Sequence, residues 1–503
     1  MTLWLLGDQL YPEAAPLQRH DSVLLVEAHE FADRLAYHPQ KLTLLFAAMR
    51  HARDDLRDRG VDVTYLRAAT FGDALDDYFA ANPGASLTVM RPSSHGAADR
   101  LRELVESRGG SLSVVASDLF VTSPAEWDRW TDGRGDGYRQ EQWYRHVRRE
   151  TGVLMDGDDP VGGDWNYDEQ NRETPPDDWD APPLPTFEPD DLTREVHAFV
   201  TERYGDHWGD ADLDGFPWPV TRSEALAALD QFVETRLPAF GPYQDAMLQG
   251  EWALAHSLLS PALNLGLLHP REVVDAATAA YRDGDADVPL QSVEGFVRQL
   301  LGWREFMRHA YREAMPGLAD ANQLGQERDL PPLYWTGDTD MACLSAAVGH
   351  VRRRGYAHHI ERLMVLSNFA LLYGVDPAAL NRWFHLGFVD AFHWVTTPNV
   401  VGMGSFGTDL VSSKPYAASA NYVNRMSDHC ASCPYDPDET TGEDACPFNS
   451  LYWDFLREHE ETLRGTGRMG LVYHHVDDKD DAEWRAIRDR AADVRADAAN
   501  GDL

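Results

Sequence analysis

The first 120 residues alternate between short apolar runs and helical stretches, and this alternation constrains the fold more than any other feature. Five apolar runs rich in β-branched residues predict strands, at 3–7, 22–27, 61–68, 86–92 and 112–118. Between them, the stretches 38–59 and 95–109 have helical periodicity and end at glycine. Such alternation is typical of a parallel sheet covered on both faces, which binds ligands at the carboxyl ends of its strands. We therefore predict an α/β, Rossmann-like N-terminal domain with Gly7, Asp8 and Gln9 at a binding edge.

The pattern changes twice further along the chain. Residues 131–195 are rich in Asp, Pro, Gly and Trp, which predicts a long interdomain linker that packs in part because of its tryptophans. From residue 196 onwards nearly all periodic segments are helical, and we predict helices at 222–237, 241–258, 270–283, 293–313, 340–354, 357–373, 376–384, 450–463 and 480–499. The sequence thus predicts three parts: an α/β domain over 1–130, the linker over 131–195 and a large all-α domain over 196–503.

The charge of the chain is strongly negative, with 45 Lys and Arg against 83 Asp and Glu and a net charge of −38. This excess argues against a nucleic-acid partner unless an arginine-lined groove lies beneath it. Only three cations are lysines (Lys41, Lys414 and Lys479) and the acids are spread over the whole chain, a composition typical of salt-adapted, halophilic proteomes.

Several functions are poor fits to the motifs. None of the three lysines follows Gly or precedes Ser or Thr, so the chain has no P-loop. It also has no G-x-G-x-x-G after a predicted strand and no H-E-x-x-H, which disfavours a dinucleotide dehydrogenase and a zinc metalloprotease. The N-terminal apolar run reaches Asp8 after a few residues, too short for a signal peptide or a membrane span. We expect a soluble cytoplasmic protein with no membrane partner.

The four cysteines are Cys343, Cys430, Cys433 and Cys446. An intracellular chain has little use for disulfides, so four cysteines with one C-x-x-C knuckle favour four thiolates on a metal centre. A structural zinc usually has two knuckles, whereas one knuckle with scattered single ligands is common for a 4Fe–4S cluster. Spacing alone leaves three alternatives open: iron–sulfur, zinc and unliganded core cysteines.

The helical segments between 256 and 422 mix polar with aromatic residues. Adjacent residues on a helix point about 100° apart, so His358 and His359 cannot chelate one metal, and one capped and one buried histidine is the plain interpretation. Arginine, carboxylate and amide side chains interleave with Trp, Phe and Tyr, at Arg304, Arg362, Asp390, Asn264 and Ser260. Ordinary core packing is one explanation, but the mixture suits a large, flat, polar-edged ligand such as a flavin nucleotide.

Several motifs together resemble the photolyase/cryptochrome superfamily over essentially the entire chain. They are LGDQL near the N-terminus and, in the helical part, GWREF, YAHHIERLM, RWF followed by VDAFHWV, and KPYAASANY. The four-cysteine set resembles that of the iron–sulfur branch, the deoxyribodipyrimidine photolyase-related proteins that include bacterial and archaeal (6-4) photolyases and cryptochrome-like relatives. The resemblance implies a 4Fe–4S cluster on the four cysteines and FAD in the all-α domain.

The resemblance also implies roles for individual residues. FAD would be bound by Ser257, Ser260, Asn264, Trp303, Arg304, Arg362 and Asp390. The DNA lesion would lie beside His358, His359 and Tyr416, with His359 as the proton donor. Electrons would reach photoexcited flavin through Trp383 and Trp335, while Phe384, after Trp383, has no oxidisable hydroxyl. A light-harvesting 6,7-dimethyl-8-ribityllumazine would contact Asp8, Gln9, Glu27 and Lys41, and Asp168 would hold a divalent cation such as Mg²⁺ near the DNA.

These implications lead to a functional expectation. The chain is expected to be a monomeric (6-4) DNA photolyase, a lyase that repairs pyrimidine photoproducts in UV-damaged DNA by electron transfer from photoexcited reduced FAD. The first alternative is a blue-light receptor with the same flavin core and no repair activity. The second is a flavin-free zinc and interaction protein.

Overall fold

A computed structural model describes residues 2–134, 139–176, 178–284, 287–466 and 469–503. The N-terminal part contains a five-stranded, fully parallel sheet in the order β3-β2-β1-β4-β5. Its strands are β1 Thr2–Leu5, β2 Ser22–Ala28, β3 Asp62–Ala68, β4 Ser86–Met90 and β5 Ser111–Val115. This confirms the predicted α/β domain with a parallel sheet.

Alternate residues of the strands face two different helical layers, as the period of a strand requires. Leu3 and Leu5 pack in the core that contains the long helix Pro39–Asp58. Trp4 packs on the opposite face, in a separate core with Phe71–Ala81. Both faces of the sheet are therefore covered.

Helices make up most of the remaining described chain. In the N-terminal part they are α1 Glu30–Asp33, α2 Pro39–Asp58, α3 Phe71–Ala81, α4 Ala97–Glu106, α5 Pro124–Thr131 and α6 Gln140–Thr151. The later helices are α7 Asp191–Tyr204, α8 Arg222–Gln231, α9 Leu237–Tyr243, α10 Ser260–Leu265, α11 Pro270–Asp283, α12 Leu290–Val297, α13 Glu305–Ala314, α14 Leu333–Thr336, α15 Ala342–Arg354, α16 Asn368–Tyr373, α17 Pro377–Gly387, α18 His393–Thr397, α19 Ala420–Met426, α20 Pro447–Glu458, α21 Glu460–Leu463, α22 Gly470–Asp477 and α23 Asp481–Asn500. No helix in the described part of the chain is long and apolar enough to cross a membrane.

Part of the stretch 131–195 is packed into the body of the protein. Helix α6 buries Trp143 completely, and it ends at Gly152, whose φ of 69° needs the left-handed conformation that glycine adopts readily. A small hairpin of Met155–Asp156 and Asp159–Pro160 follows. Among the described residues of the acidic stretch after it, a single 3₁₀ turn precedes α7.

In the described ranges, four π-helical turns lie among the helices that follow residue 221, and π turns are frequent at functional sites. They are Phe232–Arg236, Arg298–Arg304, Glu361–Ser367 and Pro398–Gly404. Two of them contain the predicted flavin-binding residues Arg304 and Arg362. The first ends at Arg236, which donates to the His256 carbonyl, and the last approaches Glu361–Ser367, since a Cβ added at Gly404 would lie 2.8 Å from the Ser367 hydroxyl.

The predicted helix over 241–258 is wrong beyond Tyr243, where α9 ends. Leu254 and Leu258 have φ angles of 45° and 59°, which a right-handed helix excludes. Met247 instead pairs with Ser427 in an isolated bridge, so this segment gains its backbone partners from elsewhere in the fold. The apolar periodicity of the sequence was therefore not a helical signal here. This extended segment brings His256 and Ser257 into the site.

Candidate functional site

Asp390 is the centre of one polar cluster. The two terminal nitrogens of Arg362 donate to its carboxylate at 3.1 and 3.0 Å, and the Ser260 hydroxyl donates to Oδ2 at 2.7 Å. The Asn264 amide donates to the Asp390 backbone carbonyl at 2.8 Å and accepts from Arg304. The structure thus brings five of the seven predicted flavin-binding residues into one hydrogen-bonded cluster.

Two buried arginines beside this cluster have incomplete hydrogen bonding. Arg304 donates to Asn264 and to the Leu263 carbonyl, and Arg236 donates to the carbonyls of His256 and Ser257. The Nε of each has no partner among the described residues. Burial lowers the pKa of both guanidinium groups to about 10. Neither has a carboxylate within ion-pair distance in the described part of the chain, so both suit an anionic or polar ligand.

The remaining predicted flavin residues lie at the edges of this region. Ser257 contributes its carbonyl to Arg236, at 3.5 Å, and its hydroxyl accepts from the Leu259 amide at 3.4 Å. Trp303 is partly buried against the larger core.

A row of histidines lies next to the cluster, just before the turn Glu361–Ser367. His359 has a side chain 46% exposed, with its Nδ1 3.1 Å from Nε2 of His256 and its Nε2 3.5 Å from the Asp245 carboxylate. His358 is fully buried and stacks on His256, with ring centroids 4.6 Å apart. The two adjacent histidines therefore differ in access: one faces the surface and the other the interior.

The buried members of this row are held neutral. Burial and the neighbouring His359 lower the pKa of His256 to about 3, and burial holds the pKa of His358 well below its usual value. Deeper in the protein, the Glu361 carboxylate lies 3.8 Å from His358 Nε2 and accepts a hydrogen bond of 2.9 Å from His350 Nδ1. Among these histidines, His359 is the one exposed enough to exchange a proton with a bound molecule.

The predicted electron-relay tryptophans differ in depth. Trp383 is buried and donates from its indole nitrogen to the Tyr334 carbonyl at 3.0 Å. Its ring contacts Phe388 at 5.7 Å, and Phe388 packs under the Arg362 guanidinium at 4.4 Å. Trp335 is 39% exposed. Trp383 thus lies one aromatic ring away from the Arg362–Asp390 pair, while Trp335 is at the surface.

The four cysteines line one pocket, together with the apolar side chains Met341, Ala420, Val423 and Phe448 and with His429 and Tyr435. Burial raises the pKa of the Cys430 thiol to about 11 and that of Cys446 to about 12. Bare thiolates are therefore disfavoured there, and a cationic centre bound to the sulfurs would be needed to keep them deprotonated.

The four cysteines line this pocket, but within the described ranges no three His, Cys, Asp or Glu side chains are close enough together to hold a single metal ion.

Comparison with known proteins gives the family. The family model for "Deoxyribodipyrimidine photo-lyase-related protein" matches residues 3–218. The (6-4) photolyase of Agrobacterium fabrum is 41% identical over 509 residues, which cover 98% of this chain and 97% of that protein. The chain belongs to the photolyase/cryptochrome family.

Solved structures of other photolyases share the fold. A bacterial class III photolyase from Agrobacterium tumefaciens superposes with a TM-score of 0.60 at 16% identity, covering 99% of this chain and 97% of the other. An archaeal photolyase from Sulfolobus tokodaii, whose crystal structure contains two FAD molecules, gives a TM-score of 0.56 at 14% identity and covers 99% and 100% of the two chains. The architecture is therefore that of a photolyase throughout.

The four predicted antenna contacts do not form one group in this photolyase fold. Glu27 accepts two bonds from Arg50 and one of 2.5 Å from Tyr65, and it lies 3.2 Å from Arg67. Lys41 is buried against the helical part, where Nζ donates to the carbonyls of His385 and Ala391 at 2.8 and 2.7 Å. The polar groups of these two side chains are thus engaged within the protein.

The other two antenna candidates lie at the predicted edge of the sheet. Gln9 is buried and donates to the Met90 carbonyl at 3.0 Å, and its side-chain oxygen has no partner among the described residues. Burial raises the pKa of the neighbouring Asp8 to about 6. These two side chains are available to a ligand, whereas Glu27 and Lys41 are not.

Asp168 does not fit the predicted divalent-cation site. Its carboxylate accepts from Arg172 at 2.5 Å and from Arg298 at 3.2 and 3.3 Å. Burial favours its neutral form, but Arg298 and Arg172 outweigh burial and lower the pKa of Asp168. Two guanidinium groups already supply the positive charge that a magnesium ion would bring.

Sequence reasoning missed two residues of the site. His256 lies in the segment wrongly predicted as a helix, so nothing placed it against His359. Arg236 lies near the end of the helix predicted over 222–237, which in the structure continues through a π turn to Tyr243, and arginine is ordinarily solvent-exposed. What distinguishes Arg236 from an ordinary surface arginine is that it is buried and has no acidic partner among the described residues. The periodicity of the sequence does not reveal that burial.

Proposed function

We propose that this protein is a light-driven (6-4) DNA photolyase that acts on UV-damaged DNA. The observation that carries the proposal is the position of His359: half-exposed, held by His256 and next to the Arg362–Asp390 cluster. The 41% identity to a protein named a (6-4) photolyase, over nearly the whole of both chains, supports the same activity.

FAD is the proposed cofactor, and the chain's residues fit it. Ser257, Ser260, Asn264, Trp303, Arg304, Arg362 and Asp390 would line its site, and we add Arg236 as a binder of its phosphates. Guanidinium nitrogens that are buried and unpartnered suit phosphate oxygens, which arginine binds through parallel hydrogen bonds. When bound, reduced FAD supplies one electron to the lesion after it absorbs light.

His359 would supply the proton that this repair requires. A (6-4) product holds an oxygen that must return from one base to the other, so a positioned acid is needed. His359 can donate from Nδ1 to the neutral His256 while Nε2 lies beside the Asp245 carboxylate. His358 would pack behind this acid, and Tyr416, partly buried where the two large cores meet, would border the lesion.

A 4Fe–4S cluster on Cys343, Cys430, Cys433 and Cys446 is proposed as well, which would place the chain in the iron–sulfur branch of the family. The gathering of four cysteines around one pocket supports it, because four cysteine thiolates are the usual ligands of such a cluster. We assign no catalytic step to the cluster.

The lumazine antenna remains a prediction. Asp8 and Gln9 could contact a chromophore at the edge of the sheet, but Glu27 and Lys41 do not fit, because this chain's own groups occupy them. The proposed division assigns 1–130 to an antenna domain, 131–195 to a linker and 196–503 to the flavin and iron–sulfur domain.

DNA binding by so acidic a protein requires a locally positive surface. Lys414, exposed beside Tyr416, and Arg139, which donates to Ser413 at 3.2 Å, would contribute to that surface. The acid excess elsewhere suits a halophilic origin, since high salt screens its repulsion of DNA.

A repair assay tests this function. Purified protein with reduced FAD is mixed with an oligonucleotide carrying one (6-4) product, and restored bases are measured after blue light and after darkness. Light-dependent restoration is expected. Photoreduction of bound FAD without any repair would favour the blue-light receptor, and a protein that binds zinc and no flavin would favour the interaction protein.

A further inference from the structure

A third tryptophan lies between the two predicted electron-relay residues. The Trp208 ring is 5.7 Å from the Trp383 ring and 5.8 Å from the Trp335 ring, measured between centroids. Both distances lie within the range of direct aromatic contact. Its indole nitrogen also donates to the Trp335 carbonyl at 2.6 Å, which fixes the ring relative to the outer tryptophan.

The backbone around Trp208 is shaped to admit its ring. A Cβ added at Gly387, the last residue of α17, would lie 3.1 Å from the ring of Trp208. Glycine at this position therefore lets the indole approach the helix that carries Trp383. The ring packs against both large cores and is edge-on to His38 at 6.4 Å, so several groups hold it in place.

We propose that Trp208 is the middle member of an electron relay formed by Trp383, Trp208 and Trp335. The inference rests on the proposed flavin site. Electron transfer falls steeply with the gap between donor and acceptor, and the Trp208 ring is in contact with the rings of both Trp383 and Trp335. Phe384, whose ring also contacts Trp383 at 5.3 Å, is much harder to oxidise than an indole and cannot serve in this way.

The electrons balance as follows. Trp383 gives one electron to photoexcited oxidised flavin, Trp208 reduces the Trp383 radical cation, and Trp335 reduces Trp208. The oxidised Trp335, which is 39% exposed, releases its indole proton to water. A thiol in solution then returns one electron and one proton to Trp335. One electron thus passes from thiol to flavin in each cycle.

Trp208→Phe tests the relay in the FAD-bound protein, because it keeps an aromatic ring and removes the oxidisable one. Under blue light with excess dithiothreitol, the rate of flavin photoreduction in Trp208→Phe should fall to a small fraction of the wild-type rate. Trp335→Phe, which removes the outer member of the relay, should show the same loss. Trp484→Phe is the matched control, since Trp484 packs in α23 near Arg457 and outside the relay. It should photoreduce like the wild type.

Trp208→Tyr gives a second, spectroscopic readout. Transient absorption after a laser flash should show a tyrosyl radical in Trp208→Tyr that is missing in the wild type, because the oxidised Trp383 takes its electron from residue 208. Repair of (6-4) DNA by chemically reduced Trp208→Phe should equal that of the wild type.

Two results would overturn the relay: photoreduction of Trp208→Phe at the wild-type rate with full FAD content, or the absence of a tyrosyl radical in Trp208→Tyr. Failure of the proposed function looks different, since wild-type protein would then bind no FAD or would repair nothing when chemically reduced.

Discussion

Nδ1 of His359 lies 3.1 Å from Nε2 of His256. Because burial and His359 together lower the pKa of His256 to about 3, His256 stays neutral throughout the working range and can accept a hydrogen bond from a protonated His359. The buried histidine therefore offers a fixed, neutral acceptor to the ring of the exposed one.

Replacing His256 should slow repair. His256→Phe keeps a ring for stacking on His358 and removes the nitrogen that lies 3.1 Å from Nδ1 of His359, so the proposed proton donor loses a contact that positions it. The rate of light-dependent repair with saturating reduced FAD should fall, while FAD binding should stay as in the wild type. Repair by His256→Phe at the wild-type rate would show that His256 does not position His359.

Loss of any cysteine should release the cluster and weaken the helical part, since cluster binding and folding are coupled. Cys343→Ala should lose iron and acid-labile sulfide together and melt at a lower temperature than the wild type. Ser432→Ala, between Cys430 and Cys433, is the control and should retain both the iron and the acid-labile sulfide. Stoichiometric zinc in wild-type protein prepared without oxygen would refute the iron–sulfur assignment.

Arg236 should contribute directly to FAD affinity. Arg236→Gln removes a buried positive charge, and loss of one partner from a buried charge pair costs about 2–5 kcal/mol, or roughly thirty-fold or more in affinity. Arg222→Gln is the control, because Arg222 belongs to the preceding helix and pairs with Glu272. Titration of flavin-free protein with FAD measures both variants. Equal affinity of Arg236→Gln and the wild type would remove Arg236 from the site.

Two of the three lysines allow a controlled test of DNA binding, with Lys414 as the proposed contact and Lys479 as the control. Lys414 is exposed beside Tyr416, whereas Lys479 pairs with Glu483 near the C-terminus. Lys414→Glu should weaken binding of (6-4) DNA and reduce the slope of log affinity against log salt by roughly one or more. Lys479→Glu should change neither. Equal effects of the two variants would place the DNA elsewhere.

The sequence predicted the sheet well because its strands are buried on both faces and read as short apolar runs between helices. Helix α3 was missed, although Thr70 and Asp73 form a capping box at its start. The family resemblance assigned Asn264, Arg362 and Asp390 to one flavin site, and the hydrogen bonds among them support a common site.

The contacts that complete the site were beyond sequence reasoning. Arg236, His256 and Trp208 meet their partners across distances in the chain of 20, 103 and 175 residues, and Nδ1 of His256 donates to the Ala253 carbonyl within an irregular segment. Periodicity reports which face of an element is apolar. It does not report which side chain of another element lies opposite. The roles of Arg236, His256 and Trp208 depend on such opposing side chains, so periodicity could not predict them.

The most direct test of the account is repair by His359→Ala. The variant should bind FAD and photoreduce it like the wild type, because His359 acts on the substrate and not on the flavin. Its light-driven repair of (6-4) DNA should fall by about 10²–10⁴-fold, the usual contribution of a positioned acid. His475→Ala, a change in helix α22 (Gly470–Asp477), should leave repair unaffected. Equal repair by the wild type and His359→Ala, measured with the same amount of reduced FAD, would contradict the proposal that His359 is the proton donor.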